Sequence, residues 1–408
     1  MPSAARLQAA GLTATTVLTL VTAISMLQPL ATDLYLPSLP GLATAFATDV
    51  ATVQWTLSIF VAGFGAWQLV AGPLSDRYGR VPVILGGLAV FCAASALCLS
   101  AATIEVLIGG RLLQAIGACS VLVGMRGFVR DLYNPTDGAR LLATAATLMS
   151  VAPLLGPPLG ALAFQAFGWR SAFALLGAFS LVLLALCALK LRETNRHRNP
   201  HALRPGPMLS TYAAALRSPA FRAYTLASTA SYAGLFAYLS GSSFVLVQVL
   251  GLSAPAYGLC LSATVLGYMG GTLLCRRWVP RAGLQRTIQR GAVIQCASGL
   301  TMAALALAGV AHPAAIVGPF FGYSIAHGLI QPSAQSGAVA PFPHSAGAAA
   351  AMLGFVMMAV ASLIGFWIGA SFDGSTRPLA LTIGATTLGT LAIAFVLVRR
   401  DGDVSHHG

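Results

Sequence analysis

The chain has 408 residues, of which 57% are hydrophobic and only 8% charged. An ordinary soluble domain carries about 25% charged residues, so this composition excludes a water-soluble globule and describes a membrane chain. The net charge of +13 invites a nucleic-acid partner, but the placement of the basic residues removes the need for one.

Twelve apolar runs of about 20 residues can each cross about 30 Å of hydrocarbon as a helix. They fall at 12–33, 52–73, 81–101, 105–126, 139–163, 171–190, 220–247, 255–275, 288–309, 313–337, 345–370 and 378–398, which predicts an all-α membrane protein with twelve transmembrane helices. With a cytoplasmic N-terminus, twenty of the 23 basic residues lie on the cytoplasmic side. Arg170 and Arg377 fall outside and Arg111 lies within a span, the distribution expected of a correctly phased topology. The seven cysteines (Cys92, Cys98, Cys119, Cys187, Cys260, Cys275 and Cys296) lie in or beside apolar runs, with no CxxC and no histidine at metal spacing. They read as packing residues, and no metal site is expected.

Span 1 follows a single arginine and is too long for the h-region of a cleaved signal peptide, so it reads as a retained helix. It ends in PLATDLYLPSLP, with Asp33 near its outer end and Tyr35 just beyond. A charge at membrane depth is costly and therefore a functional candidate. Span 4 supplies its counterpart, Arg111, about two turns from its outer end, so the two are expected to face each other across a cavity. Burial favours the neutral acid and an arginine favours the carboxylate, so such an acid can be poised to load and release a proton. The alternative is an ion pair that merely orients spans 1 and 4.

Between spans 2 and 3 lies GPLSDRYGR. Gly72 is expected to end a helix, Gly79 to make a tight turn, and Asp76 to offer a carboxylate to a helix N-terminus such as that near Ser345. With Arg77 or Arg80 paired to Asp131 at the end of span 4, the loop would clasp two halves on the cytoplasmic side; a purely topogenic loop is the alternative. Span 5 carries APLLGPPLGA, in which Gly156 and Gly160 permit close helix approach, while Pro153, Pro157 and Pro158 remove amide donors and bend the helix.

The proline-rich, basic interval 191–218 separates a first six-helix bundle (1–190) from a second (219–400), with a cytoplasmic tail at 401–408. GTLLCRR at 271–277 echoes GPLSDRY, with Cys275 where Asp76 stands. Span 10 places Tyr323, His327 and Gln331 on one face, and a polar stripe belongs against protein or water. His327 reads as a neutral imidazole bonded to a neighbouring helix. Tyr232, Phe236 and Tyr238 of span 7, beside Ser228, Ser231 and Ser240, join Tyr35, Trp55 and Met358 as candidate lining of a pocket tolerant of varied ligands. Packing aromatics is the alternative for each.

GPLSDRYGR, PLATDLYLPSLP, RLLQAIGA, APLLGPPLGA, GLFAYLSGSSFV and FPHSAG together resemble the major facilitator superfamily, and within it the drug:proton antiporters of the bicyclomycin-resistance group. The resemblance runs through nearly the whole chain. It implies the major facilitator fold, a helix 1 acid and helix 4 arginine tied to coupling, an antiporter signature in APLLGPPLGA, and bicyclomycin, phenicols or sulfonamides as substrates. Several relatives carry a second acid where this chain has Ser25, which favours neutral or zwitterionic substrates over dications. The expectation is a monomeric carrier of the bacterial inner membrane with both termini cytoplasmic, not an enzyme, without cofactor and driven by the proton gradient. No GxxxxGK[ST] loop is present for ATP. A proton-coupled exporter or importer of a small metabolite such as an amino acid is the rival on the same fold.

Overall fold

A computed structural model describes residues 11–195, 198–343 and 345–399, so the expected tail at 401–408 lies outside the described residues. The membrane helices are α1 Ala14–Asp33, α2 Val50–Tyr78, α3 Arg80–Leu99, α4 Ile104–Leu132, α5 in two pieces (Pro135–Met149 and Val151–Phe167), α6 Arg170–Lys190 and α7 Pro219–Ser243. They continue with α8 (254–282), α9 (284–307), α10 Pro313–Val339, α11 Ala346–Ala370 and α12 Arg377–Ile393. Eleven runs are long and apolar enough to cross a membrane, and the longest of them, Ala254–Leu307, contains both α8 and α9. Its single interruption is Gly283, at φ 77° and ψ 170°.

The helix starts follow from local chemistry. The hydroxyl of Thr13 accepts the Thr16 N–H at 3.1 Å, that of Ser218 accepts Phe221 N–H at 3.3 Å, and Asn134 Oδ1 accepts Asp137 N–H at 2.8 Å. Pro219, Pro255, Pro313 and Pro378 stand in first turns, where their missing N–H costs nothing. Large apolar side chains such as Leu162, Leu181, Leu189 and Leu363 are exposed, as expected of helices whose outer faces meet lipid.

By packing, the chain divides into two units: one comprises the residues up to Ser38 with Ile59–Met208, the other Leu39–Ser58 with the residues from Leu209 onward. The segment expected as a cytoplasmic linker groups with the first unit up to Met208, and within it Pro205–Arg217 forms a helix that crosses that division. Leu39–Ser58, expected in the first bundle, groups with the second. There Ser240 Oγ donates to Gln54 Oε1 at 2.6 Å, Gln54 Nε2 donates to the Ser240 carbonyl, and Trp55 meets Phe366 edge-on at 3.8 Å.

The segment 72–80 differs from the expected loop. Gly72 does not end a helix: α2 runs on to Tyr78, and α3 begins at Arg80, leaving Gly79 as the whole connection. Charges end a run of hydropathy without ending a helix, provided they are paired. Arg80 binds Asp76 at 2.6 Å and Asp131 at 3.0 Å, and Arg130 lies 3.6 Å from Asp76. The same pairing lets α4 continue past the expected end at 126 to Leu132. Gly79 adopts φ 111°, a region that favours glycine, and a Cβ there would meet the Glu193 carboxylate. That carboxylate caps α3 by accepting the N–H groups of Arg80 at 3.0 Å and Val81 at 3.1 Å. Asn195 Nδ2 and Asn199 N–H both donate to the Asp76 carbonyl at 3.1 Å, and Thr194 donates to Asp131 at 3.2 Å. A junction so tied predicts that Gly79→Ala lowers stability by about 1–3 kcal/mol, the cost of a strained left-handed residue. Glu193→Ala should cost about 0.5–2 kcal/mol as a lost cap. Thermal unfolding of the purified protein in detergent checks both; midpoints unchanged in both variants would contradict the assignment.

Candidate functional site

The first unit concentrates its membrane-depth polarity at the C-terminal end of α1 and on α4. Asp33 is buried in the last turn of α1, and Thr32 Oγ1 lies 3.0 Å from its Oδ1 and 2.9 Å from the Pro29 carbonyl. The hydroxyl has one hydrogen for these two acceptors and a third, the Gln28 carbonyl at 3.4 Å. It can donate to an ionised Asp33, or, once Asp33 is protonated and donates to Thr32, turn its hydrogen to Pro29. The glycines of α5 press against this terminus. A Cβ on Gly156 would lie 3.2 Å from the Asp33 Cβ, and one on Gly160 would meet the Leu34 backbone. The neighbour that Gly156 and Gly160 admit is therefore α1, at the acid itself, while Pro157 and Pro158 sit between them inside α5. Pro153 lies one turn before Pro157 in the same piece of α5 and is partly buried.

Arg111 is fully buried, and among the described residues no ion pair joins it to Asp33, so the alternative of a merely orienting ion pair is not what holds it. Its guanidinium sits among rings, 4.3 Å from the Phe60 centroid, 4.8 Å from Tyr35 and 6.0 Å from Phe173. Arginine is weakly hydrated for a cation, and a desolvated ring contact is worth about 2 kcal/mol, which offsets part of its burial. Arg111 Nη1 donates to Gln114 Oε1 at 2.9 Å, Gln114 Nε2 donates to Ser95 Oγ at 2.8 Å, and Ser95 donates to the Phe91 carbonyl at 2.7 Å. The acid and the cation are thus linked along the chain just past α1: Tyr35, two residues beyond Asp33, forms one wall of the arginine's box. Phe60, Phe173, Gln114 and Ser95 were not singled out from the sequence; only Gln114, one turn from Arg111, carried a periodic signal.

In the second unit the stripe on α10 faces α7. Tyr323 OH donates to the Ser231 carbonyl at 2.6 Å, and His327 Nδ1 lies 2.8 Å from Ser231 Oγ. Gln295 of α9 donates to the same hydroxyl at 2.8 Å. Ser228 donates to Gln331 Oε1 at 3.1 Å, and Gln331 Nε2 donates to the sulfur of Met357 at 3.1 Å. The α11 methionine in this cluster is Met357; its buried neighbour Met358, about 100° further round the helix, has no recorded bond to it. Tyr232 and Tyr268 flank the His327 ring at 6.3 and 5.6 Å, and Tyr232 stacks on Phe236 at 6.4 Å. Tyr238 instead stacks on Phe320 at 3.6 Å between α7 and α10. Trp55, half exposed against Phe366, stands apart from the α10 stripe.

Among the described residues no cluster of histidine, cysteine or acidic groups could hold a metal ion. The arrangement is that of a carrier: buried polar groups bonded along and between helices, a buried acid at the end of α1, and an aromatic-lined polar stripe.

Comparison with known proteins agrees with this reading. The model of the Major Facilitator Superfamily matches residues 21–366. A bicyclomycin resistance protein homolog of Haemophilus influenzae is 25% identical over 378 residues, covering 93% of this chain and 95% of that one. A chloramphenicol resistance protein of Pseudomonas aeruginosa is 28% identical over 335 residues, covering 82% and 78%. The crystal structure of a D-xylose-proton symporter superposes with a TM-score of 0.72 at 14% identity over 96% of this chain and 99% of that one, a likeness of fold. With its membrane-length helices and without strands among the described residues, the chain belongs to the major facilitator superfamily and is a multi-pass membrane transporter, not an enzyme.

Proposed function

We propose that the protein is a proton-coupled multidrug exporter of the bacterial inner membrane, exchanging small antibiotics for protons by alternating access. Relatives named for bicyclomycin and chloramphenicol resistance support the drug-efflux part. The proton part is carried by one observation: Asp33 is a buried acid whose partner, Thr32, has an alternative acceptor within hydrogen-bond reach. Arrival of a proton moves the Thr32 hydrogen from Asp33 to the Pro29 carbonyl. The change occurs where Gly156 and Gly160 hold α5 against α1, so it acts on helix packing and not on a loop.

In this reading Arg111 keeps a fixed positive charge beside Tyr35, which raises the cost of a further cation near Asp33. Together with Ser25 in place of a second acid, that favours neutral or zwitterionic drugs such as bicyclomycin, phenicols or sulfonamides. The aromatic and polar surface of the second unit, with His327, Gln331 and Met357, supplies the drug contacts. No cofactor is required. A proton crossing 100 mV releases about 2.3 kcal/mol, enough for a tenfold or larger drug gradient. The protein works as a monomer with both termini cytoplasmic.

A susceptibility panel in an efflux-deficient host tests the proposal. Wild type should raise resistance to at least one of these drug classes, and Asp33→Asn should remove that protection; identical profiles would reject coupling through Asp33. In proteoliposomes, Asp33→Asn should abolish drug accumulation driven by a pH gradient while leaving exchange of drug for drug. Gln331→Leu should instead weaken drug binding about five- to 150-fold, the loss of one or two buried hydrogen bonds of about 1–3 kcal/mol in total. Asp76→Asn should slow turnover with little change in drug affinity, and a large affinity loss at normal turnover would move Asp76 into the binding chemistry.

A further inference from the structure

Apart from these polar clusters, the first unit has a groove of about 400 Å³ between α2, α3 and α4. Its walls are Trp67, Leu74 and Tyr78 of α2, Pro82, Gly86 and Val90 of α3, and the Ile116 to Ser120 turn of α4. On α3, Pro82, Gly86 and Val90 recur at helical spacing and are all exposed, so the groove is open along one side. A Cβ built on Gly86 meets nothing within 4 Å. Beneath it, Gly87 and Gly117 bring α3 and α4 so close that a Cβ on either would come within 2.9 Å of the other's carbonyl, which shapes the floor. The inner end is closed by Trp67, whose indole N–H donates to Ser120 Oγ at 2.7 Å, leaving the lining apolar. From Tyr78 to Trp67 the groove runs along eleven residues of helix, about 16 Å, or half the hydrocarbon thickness.

The mouth is cationic. Arg77 is exposed, its guanidinium lies 5.2 Å above the Tyr78 ring, and among the described residues it makes no ion pair. The adjacent carboxylate of Asp76 is held by Arg80 and Arg130 and so does not neutralise Arg77. An apolar slot reaching from one membrane face to mid-depth, with a free cation at its rim, matches one ligand that the surroundings always supply. We propose that this groove binds one acyl chain of an anionic glycerophospholipid, phosphatidylglycerol, with the lipid phosphate on Arg77. The leaflet is the one on the Gly79 side, which is the cytoplasmic leaflet in the topology proposed above.

The full-length protein in detergent, mixed with equal amounts of phosphatidylglycerol and phosphatidylcholine of identical chains, can be tested by native mass spectrometry. Wild type should retain a first phosphatidylglycerol in preference to phosphatidylcholine by about fivefold, the effect of one arginine facing anionic headgroups. Arg77→Gln should bring the two lipids to parity. Val90→Trp, which fills the slot from its open side, should lower first-lipid retention several-fold for both, and Gly86→Phe provides a second filling variant should the first not fold. Equal retention of both lipids by wild type, or a preference unchanged in Arg77→Gln, would overturn the anionic site. Retention unchanged in a folded filling variant, or a second protein chain held in place of lipid, would overturn the groove as the place of binding.

Discussion

Hydrocarbon offers no hydrogen bonds, so every polar group that enters it must be answered by another group of the same protein. The architecture follows from that constraint. Helices satisfy their own backbones, and their ends are closed by serine, threonine, asparagine and glutamate side chains. The few polar side chains at depth then meet in pairs and chains: Arg111 with Gln114 and Ser95, Gln331 with Ser228 and Met357, Gln54 with Ser240. Each such contact fixes the rotation of one helix against another, because a buried group left without a partner costs about 1–3 kcal/mol. Apolar packing supplies area on every face and so distinguishes rotations poorly; the polar contacts supply the choice.

This explains which parts of the molecule could be read from the chain alone. Spans were legible because hydropathy is additive along the sequence and insensitive to rotation. Their ends on α2 and α4 were not, because Asp76, Arg80, Arg130 and Asp131 interrupt hydropathy while pairing with one another, and the helices pass through them. The α10 stripe was legible from its four-residue spacing. Its partner on α11 was not, since Met357 and Met358 differ only in rotation. Asp33 and Arg111 stood out by charge, but depth alone could not show that rings of Phe60, Tyr35 and Phe173 receive the cation. Nor does any local signal announce that Gln54 meets Ser240, 186 residues away.

The two units repeat a plan with different chemistry. Gly72 of α2 lies against Val123 of α4, and Gly271, at the matching place in the echo, lies against the backbone of Ile325 on α10. Where the first copy has Asp76 in an ion-pair network, the second has Cys275, whose sulfur lies 3.3 Å from Ser333 Oγ. A thiol and a hydroxyl hold the helix pair without carrying charge. The repeat thus preserves the packing of the second helix on the fourth, while among the described residues the ion pairs lie in the first unit.

Gly79 and Gly283 are each the entire connection between two membrane helices. Most surface connections absorb extra residues because a loop can bulge. A one-residue joint has no such slack, and lengthening it by a single position turns everything downstream by about 100°. After Gly79 that turn would carry the Arg80 side chain away from Asp131 and present its charge to lipid. These two points, one buried and one exposed, therefore behave as register marks: the length of the chain is as strictly set there as in the middle of a helix.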